Sequence, residues 1–459
     1  MSLNKKFQQI EKNINISKLF FKKQNMWPLL RIEVGITIWN DSFLDKFLKT
    51  KKNSVFLRKI KLIILGFLLT IINIKKYKYI FFTDSDDYKK INNIYHNRLT
   101  HEMQIFLKDE HGLEIQSGSG FHRNKEVANI TCIPATFILL AIKIAKQFII
   151  LKKNDFEHIS VELKRLGINN LSVKMVIKNY IVLKAFYGLL FKITKPKLIV
   201  STCYNNLIAI QVANSMGIRT LEIQHGNVLS GSYAYKIEKK NLSEKYYPTY
   251  MATTGLADKN YLSRAGYIRN VNNIFNVGNS MVSLFSNKNN KTISALSLKY
   301  KKIFAVTLQV GLKDVLLDYI VSQAKKNPTF IFIIIFRDNT NKLSLETPEN
   351  IVSYPGMHFY EIIAHVNYHI TISSTTAREA PSFGVKNIFY NYDNMSIIHF
   401  KRYIFSKKFN FILEHEQDIK NVIANDKKIG RRTIIKDNEE YNTPCYSKNI
   451  KKMIEKVCR

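Results

Sequence analysis

The chain has 459 residues, 46% of them hydrophobic and 12% aromatic, which excludes a disordered polypeptide and is enough for two or three domains with real cores. Lys and Arg number 70 against 35 Asp and Glu, a formal net charge of +35. That excess points to polyanionic surroundings (anionic lipid, nucleic acid or phosphorylated substrates) or to the bias of a Lys/Ile/Asn-rich coding sequence.

The opening "MSLNKKFQQIEKNI" lacks the apolar core of a secretory signal. In "NMWPLLRIEVG", Trp27, Pro28 and Arg31 read as a packed helix entry, with an acceptor- or lipid-contacting element as the alternative. The greasiest stretch, "LIILGFLLTIINI" at 62–74, is too short to span a bilayer comfortably, so no transmembrane protein is expected. Between "LRKIK" and "KKYKY" it reads as a buried core helix, or as one lying on an anionic membrane face. The first 150 residues are otherwise hard to parse, with amphipathic helical stretches and one clear strand, "KYIFF". That strand runs into Asp84-Ser85-Asp86. A D-x-D pair can share a divalent ion that bridges a nucleotide diphosphate. Acids at a helix start also explain it without metal. "QSGSGFHRNK", 116–125, is a glycine-serine turn ending in His122, Arg123 and Lys125, read as a solvated loop or as a grip on an acceptor phosphate.

From about 196 the pattern becomes regular. "PKLIVSTCYNN", "LIAIQVANSMG" and "IRTLEIQHG" form a strand–helix–strand unit, and "YPTYMATTG", "LADKNYLSRAG" and "NIFNVGNS" repeat it. A polar linker at 281–300 separates this series from a second one, "KIFAVTLQ" to "VKNIFYN". Alternation at these lengths predicts an α/β chain of two facing Rossmann-like domains with parallel sheets and an interdomain cleft as ligand site. The expected boundaries are 1–280, a linker over 281–300, a second domain over 301–435 and a C-terminal helix over 436–459. Cys132, Cys203, Cys445 and Cys458 stand far apart, with no paired metal-ligand spacing, and read as reduced thiols of a cytosolic protein.

Two stretches carry chemistry. In "HITISSTTAREAPSFGVKNIFYN", a strand delivers Ser373, Ser374, Thr375 and Thr376 to a helix start, where hydroxyls and free N–H groups suit a phosphate. Glu379, one turn along, could accept from ribose hydroxyls. An ordinary N-cap with its capping-box acid accounts for the same residues. In "LEIQHG", Gln224, His225 and Gly226 fall at the carboxyl end of a strand, where His225 could act as general base or donate to a phosphate. A satisfied structural histidine is the plain alternative. Tyr233 and Tyr235 beyond it form a wall for a sugar ring or simply pack.

"LEIQHG", "GSYAY", "TTG", "VGNS" and "SSTTAREAPSFG", in that order over roughly 196–400, resemble the GT-B-fold glycosyltransferases of bacterial surface polysaccharide (capsule and O-antigen of lipopolysaccharide) synthesis. They are also similar to CDP-glycerol glycerophosphotransferases. The resemblance implies His225 as the acceptor-side base, Ser374, Thr375 and Thr376 on the donor phosphates, and Glu379 on the ribose. It implies Gly255, Gly278 and Asn279 as cleft-lining residues, and Thr307 and Gln309 at the donor. Relatives carry a His-Pro pair where this chain has Arg337-Asp338-Asn339, so Arg337 is the candidate phosphate partner there and a CMP-sugar donor is disfavoured.

The reading is an inverting, metal-independent glycosyltransferase with no cofactor, peripheral on the inner face of the cytoplasmic membrane. It would take a nucleotide-sugar donor and a lipid-linked glycan acceptor. Transfer of a polyol phosphate from a CDP donor, a nucleotide-sugar epimerase and a basic nucleic-acid-binding protein are the alternatives. The last lacks any helix-turn-helix, zinc-finger or RRM signature.

Overall fold

The computed structural model describes residues 3–47, 55–73, 75–91, 93–118, 120–123, 126–228, 233–237, 244–286, 288–309, 311–336, 343, 346–415, 417–424, 426 and 428–458. The chain divides into two compact units, one of residues 1–253, 259–277 and 447–459, the other of 254–258 and 278–446.

The first unit is built on seven parallel strands: β1 (Tyr79–Asp84), β4 (Gly112–Ser117), β5 (Ile130–Pro134), β6 (Leu198–Ser201), β7 (Arg219–Ile223), β8 (Tyr250–Thr253) and β9 (Ile274–Asn276), in the order β9-β8-β7-β6-β1-β4-β5. An antiparallel hairpin, β2 (Tyr88–Ile91) with β3 (Ile94–Asn97), follows β1. Three of the seven strands therefore come from the first 150 residues, where the text reads poorly. β4 is interrupted by two buried polar residues, Glu114 and Gln116, which break the apolar run a parallel strand usually shows.

Helices cover both faces, as a parallel sheet requires. Ile80, Phe82, Leu113, Ile115, Ile133 and Ile199 pack on one side against Ile138, Ile142, Phe191 and Val212 of flanking helices. The other side carries a larger core joined by the N-terminal helices Leu3–Asn13 and Trp27–Phe47. There Trp27 and Arg31 are fully buried on Glu11, whose Oε1 accepts from Trp27 Nε1 at 3.2 Å and Arg31 Nε at 3.1 Å. Arg31 also donates to the carbonyls of Ala234 and Lys236. This is the packed entry, not an acceptor contact. The helix Val55–Ile72 departs from expectation: Leu62 is buried, but Ile64, Phe67, Leu68 and Ile72 are exposed. Among the described residues no helix is long and apolar enough to cross a membrane.

The second unit has six parallel strands: β10 (Lys302–Thr307), β11 (Phe330–Ile335), β12 (Ile351–Val352), β13 (Tyr368–Thr371), β14 (Lys386–Tyr390) and β15 (Asn410–Leu413), ordered β12-β11-β10-β13-β14-β15. Phe304 stacks between Phe332 and Tyr368 across the three central strands. The polar stretch 281–300 holds most of the helix Ser280–Phe285 and the whole of Lys291–Lys299. The final helix Tyr446–Cys458 belongs largely to the first unit, where Arg219 Nη1 donates to the Val457 carbonyl at 3.0 Å.

Glu222, in the middle of β7, is wholly buried and holds Tyr235 at 3.0 Å and Tyr267 at 2.6 Å through their hydroxyls. Tyr235 thus packs in the core and is not a sugar-facing wall; Tyr233 lies half-buried over Gly35, whose missing side chain makes room for its ring. Burial raises the Glu222 carboxyl to about 7 despite the two hydroxyl donors. The folded chain then binds this proton more tightly than the unfolded one, so stability falls as pH rises from about 4.5 to 7, by about 3 kcal/mol in total. Glu222→Gln keeps the shape and removes the titration. The slope of unfolding free energy between pH 5 and 7, read by urea melts, should be shallower in this variant than in wild type.

Candidate functional site

In a doubly wound sheet, ligands collect at the carboxyl ends of strands where the strand order reverses. In the second unit the reversal lies between β10 and β13. The segments leaving those strands are 307–309 and 372–376, which contain six of the candidate residues.

Their hydrogen bonds form one network. The Gln309 amide accepts from Ser373 N at 2.7 Å and donates to Ser373 Oγ at 3.0 Å. Thr376 Oγ1 donates to Ser374 Oγ at 2.8 Å, and Ser374 N to Thr371 Oγ1 at 3.3 Å. Beneath them lies His369, fully buried, with Nε2 2.9 Å from Thr307 Oγ1 and 3.3 Å from Thr376 Oγ1, and Nδ1 3.0 Å from Asn387 Oδ1. Burial pulls this imidazole down to about 4, so it is neutral. Nδ1–H donates to Asn387, and Nε2 accepts from Thr307, since the Thr376 proton is given to Ser374. Thr307 and Gln309 therefore hold the loop in shape, while Thr375 is the exposed residue at its tip and makes no side-chain cap bond. The helix that follows, Thr376–Glu379, has one turn before a 3-10 turn at Ala380–Phe383, so its dipole is short.

Glu379 is brought against Asn279. Its Oε1 accepts from Asn279 Nδ2 at 3.1 Å and its Oε2 from Tyr360 OH at 2.9 Å. Asn279 in turn caps the helix Ser280–Phe285 through Oδ1. Gly255 and Gly278 are required by the chain at 440–443. A side chain on Gly255 would strike the Glu440 carbonyl, and Gly278 (φ +94°) would strike that of Thr443. Arg378, which the sequence did not single out, is buried and bidentate on Asp258, with Nη1 3.0 Å from Oδ1 and Nη2 2.5 Å from Oδ2. Arg337 lies outside the described residues.

In the first unit the order reverses between β1 and β6. The turn after β1 ends in Asp87, buried at 3% side-chain exposure. Its Oδ1 takes Arg98 Nε at 2.9 Å and His225 Nε2 at 3.2 Å. The Arg98 Nη2 also lies 3.3 Å from His225 Nε2. Burial alone would raise this carboxyl; His225 and Arg98 outweigh it and hold Asp87 at about 2. With its proton on Nε2, His225 would donate to Asp87 Oδ1 and keep a lone pair on Nδ1, with the Arg98 donor also close to that Nε2. His225 is 45% exposed, so that lone pair is accessible. Gln224 Nε2 closes the turn on the Gly226 carbonyl at 2.8 Å, and nothing lies within 4 Å of where a Gly226 side chain would start.

Asp84 uses one oxygen inside the same turn and the other on the end of β4. Oδ1 accepts from Asp86 N at 2.9 Å, and Oδ2 from Ser117 Oγ at 2.9 Å. This is the capping role. The glycine-serine loop presses on that turn: Gly120 N donates to Ser85 Oγ at 3.1 Å, and Gly118 (φ +98°) leaves no room for a side chain beside it. Sequence reasoning found His225 but missed Asp87 and Arg98, 138 and 127 residues away. In the sequence Asp87 is simply the acid that follows the D-x-D pair.

No protein-family model matches the chain, and no curated protein sequence does. Solved structures match its fold. Arabidopsis thaliana UGT89C1 superimposes at TM-score 0.51 with 12% identity, over 84% of this chain and 100% of that one. The same protein complexed with UDP gives 0.50 and 11%, over 83% and 100%. The wall teichoic acid polymerase TagF is similar at 0.43 and 11%, over 89% and 98%. The fold is thus the two-domain α/β fold of GT-B glycosyltransferases, with a parallel sheet in each unit.

With its folded value near 2 against 3.8 unfolded, Asp87 contributes stability that is fully present above about pH 4 and is lost as pH falls toward 2, about 2 kcal/mol in all. Asp87→Asn should lose that acid limb. Urea melts of wild type and variant at pH 6 and pH 3 read the difference, which should shrink at the lower pH.

Proposed function

We propose that the chain is a glycosyltransferase that moves a sugar from a nucleotide-activated donor to an acceptor hydroxyl, with inversion and without a metal ion in the transfer step. One observation carries the reading: each unit's strand-order reversal collects the groups suited to one half of that reaction. The second unit offers hydroxyls and N–H groups on a braced loop for the donor phosphates. The first offers an imidazole oriented by a buried carboxylate for the proton.

In the transfer step the acceptor oxygen bonds to the anomeric carbon as the bond from that carbon to the donor phosphate breaks. The acceptor proton goes to His225 Nδ1, and the electron pair leaves on the nucleotide phosphate. Asp87 positions the ring and offsets the charge of the imidazolium that forms. Ser373, Ser374, Thr375 and Thr376 are the groups proposed to meet the leaving phosphate, and Glu379 the donor ribose. Engagement of Asp84 by the Asp86 N–H and the Ser117 hydroxyl supports a transfer step that needs no D-x-D metal.

The acceptor is proposed to be a lipid-linked glycan of a bacterial surface polysaccharide, met at the inner face of the cytoplasmic membrane. Exposed apolar side chains next to lysines support this. Phe148 and Ile150 are 79% and 91% exposed beside Lys143, Lys146, Lys152 and Lys153. A 920 Å³ groove in the same unit is lined by Lys22, Lys23, Lys184 and Lys192 around Ile181 and Leu189. Such a surface suits anionic headgroups.

The donor half is tested by thermal shift of wild type and Glu379→Ala with UDP, GDP, CMP, CDP, dTDP and ADP. One nucleotide should raise the melting temperature of wild type and do so less in the variant. A shift confined to CDP would move the donor to a CDP-activated polyol; no shift with any nucleotide would contradict the reading. The membrane half is tested by flotation: the protein should rise with phosphatidylglycerol vesicles and not with phosphatidylcholine, and Phe148→Asp should weaken the binding.

A further inference from the structure

The hairpin β2–β3 stands on two feet, Asp87 before it and Arg98 after it, closed by a backbone bond from Arg98 N to the Asp87 carbonyl at 3.0 Å. Beyond it the chain bends sharply. Asn97, fully buried, accepts from Leu99 N at 2.9 Å and Thr100 N at 3.1 Å through Oδ1 and fixes the bend. That bend returns His101, first residue of the helix His101–Phe106, onto His96 of β3. Glu126, from the segment between β4 and β5, completes a group whose donor atoms all lie within 4.8 Å of one another.

We infer that His96, His101 and Glu126 bind a divalent transition-metal ion, with Zn(II) the ion this donor set favours. His96 Nδ1 lies 2.9 Å from His101 Nε2, which lies 3.4 Å from Glu126 Oε2. Donors around a tetrahedral zinc, each at about 2.0–2.1 Å, stand about 3.3–3.4 Å apart. The histidine–glutamate pair has that spacing, and the two imidazoles need to part by about 0.4 Å. Each imidazole ligates while neutral, His96 with its proton on Nε2 and His101 with its proton on Nδ1, so a tautomer shift within the pair is enough. Two imidazoles and one carboxylate leave a fourth position for water. Hard oxygen-seeking ions such as Mg²⁺ are poorly served by two nitrogens.

Lys89, opposite His96 in the hairpin, donates its ammonium to the Asp86 carbonyl at 3.1 Å. His122 lies against the rings of Tyr95 and Tyr88. A bound ion would tie the hairpin and the helix start to the segment after β4. The same hairpin places Asp87 and Arg98, so metal occupancy would stiffen the carboxylate that orients His225. This is a role separate from the transfer step, in which no metal is proposed.

The test uses the full-length chain stripped with chelator and titrated with zinc chloride by calorimetry, with metal content measured after gel filtration and magnesium chloride as control. Wild type should take up one zinc per chain, melt at a higher temperature with zinc and ignore magnesium. Glu126→Gln, on an exposed segment whose change leaves the core untouched, should bind zinc about tenfold or more weakly. His101→Ala should lose the site. Equal zinc binding in wild type and both variants would mean that other groups hold the ion, and would overturn the assignment. So would the absence of zinc uptake by wild type.

Discussion

A buried carboxylate needs positive partners, and the first unit is arranged around supplying them to Asp87. Burial without partners would make the ionised form costly by several kcal/mol. Arg98 offsets that cost by its charge and His225 by a hydrogen bond to the same oxygen, and the two stand 127 residues apart in the sequence. The hairpin exists between Asp87 and Arg98, and the turn after β7 exists to bring His225 within 3.2 Å. One interaction therefore fixes the position of a surface histidine, its tautomer and the path of two loops.

The second unit solves a different problem with neutral groups. A loop meant for phosphate must present its N–H groups and hydroxyls without collapsing onto itself. Gln309 and His369 brace it from below, and the neutral state of His369 matters there, because an imidazolium could not accept from Thr307. Behind the loop, Arg378 and Asp258 form a buried pair whose charges offset each other, and breaking one side would cost about 3–5 kcal/mol. These are supporting residues. The residue left facing outward at the loop's tip is Thr375.

The alternation from 196 onward was legible because parallel strands buried on both faces are nearly pure apolar runs, and β10 and β11 show it. β4 was not, since Glu114 and Gln116 interrupt it, and Glu114 is held by Thr83, Tyr88 and Gln104 from elsewhere in the chain. His225 was visible because it stands between a strand and a glycine. Asp87 and Arg98 were not, because a pairing across more than a hundred residues leaves no local spacing to read. The helix Val55–Ile72 left two readings open, core or membrane face, because hydrophobicity cannot tell an interior from an interface. Gly255 and Gly278 were marked as cleft-lining, and the nearer reason for both is the close passage of 440–443.

Turnover separates the orienting role of Asp87 from a merely structural one most directly. Wild type, His225→Ala and Asp87→Asn would be compared in steady state with the nucleotide donor that stabilises the fold, each variant's nucleotide affinity being measured alongside. An asparagine amide facing Nε2 would donate to it and push the ring proton onto Nδ1. The expected result is a kcat lowered about 10²- to 10⁴-fold in His225→Ala and substantially in Asp87→Asn, with nucleotide affinity unchanged in both. Undiminished turnover in Asp87→Asn, or loss of nucleotide binding together with turnover, would contradict it.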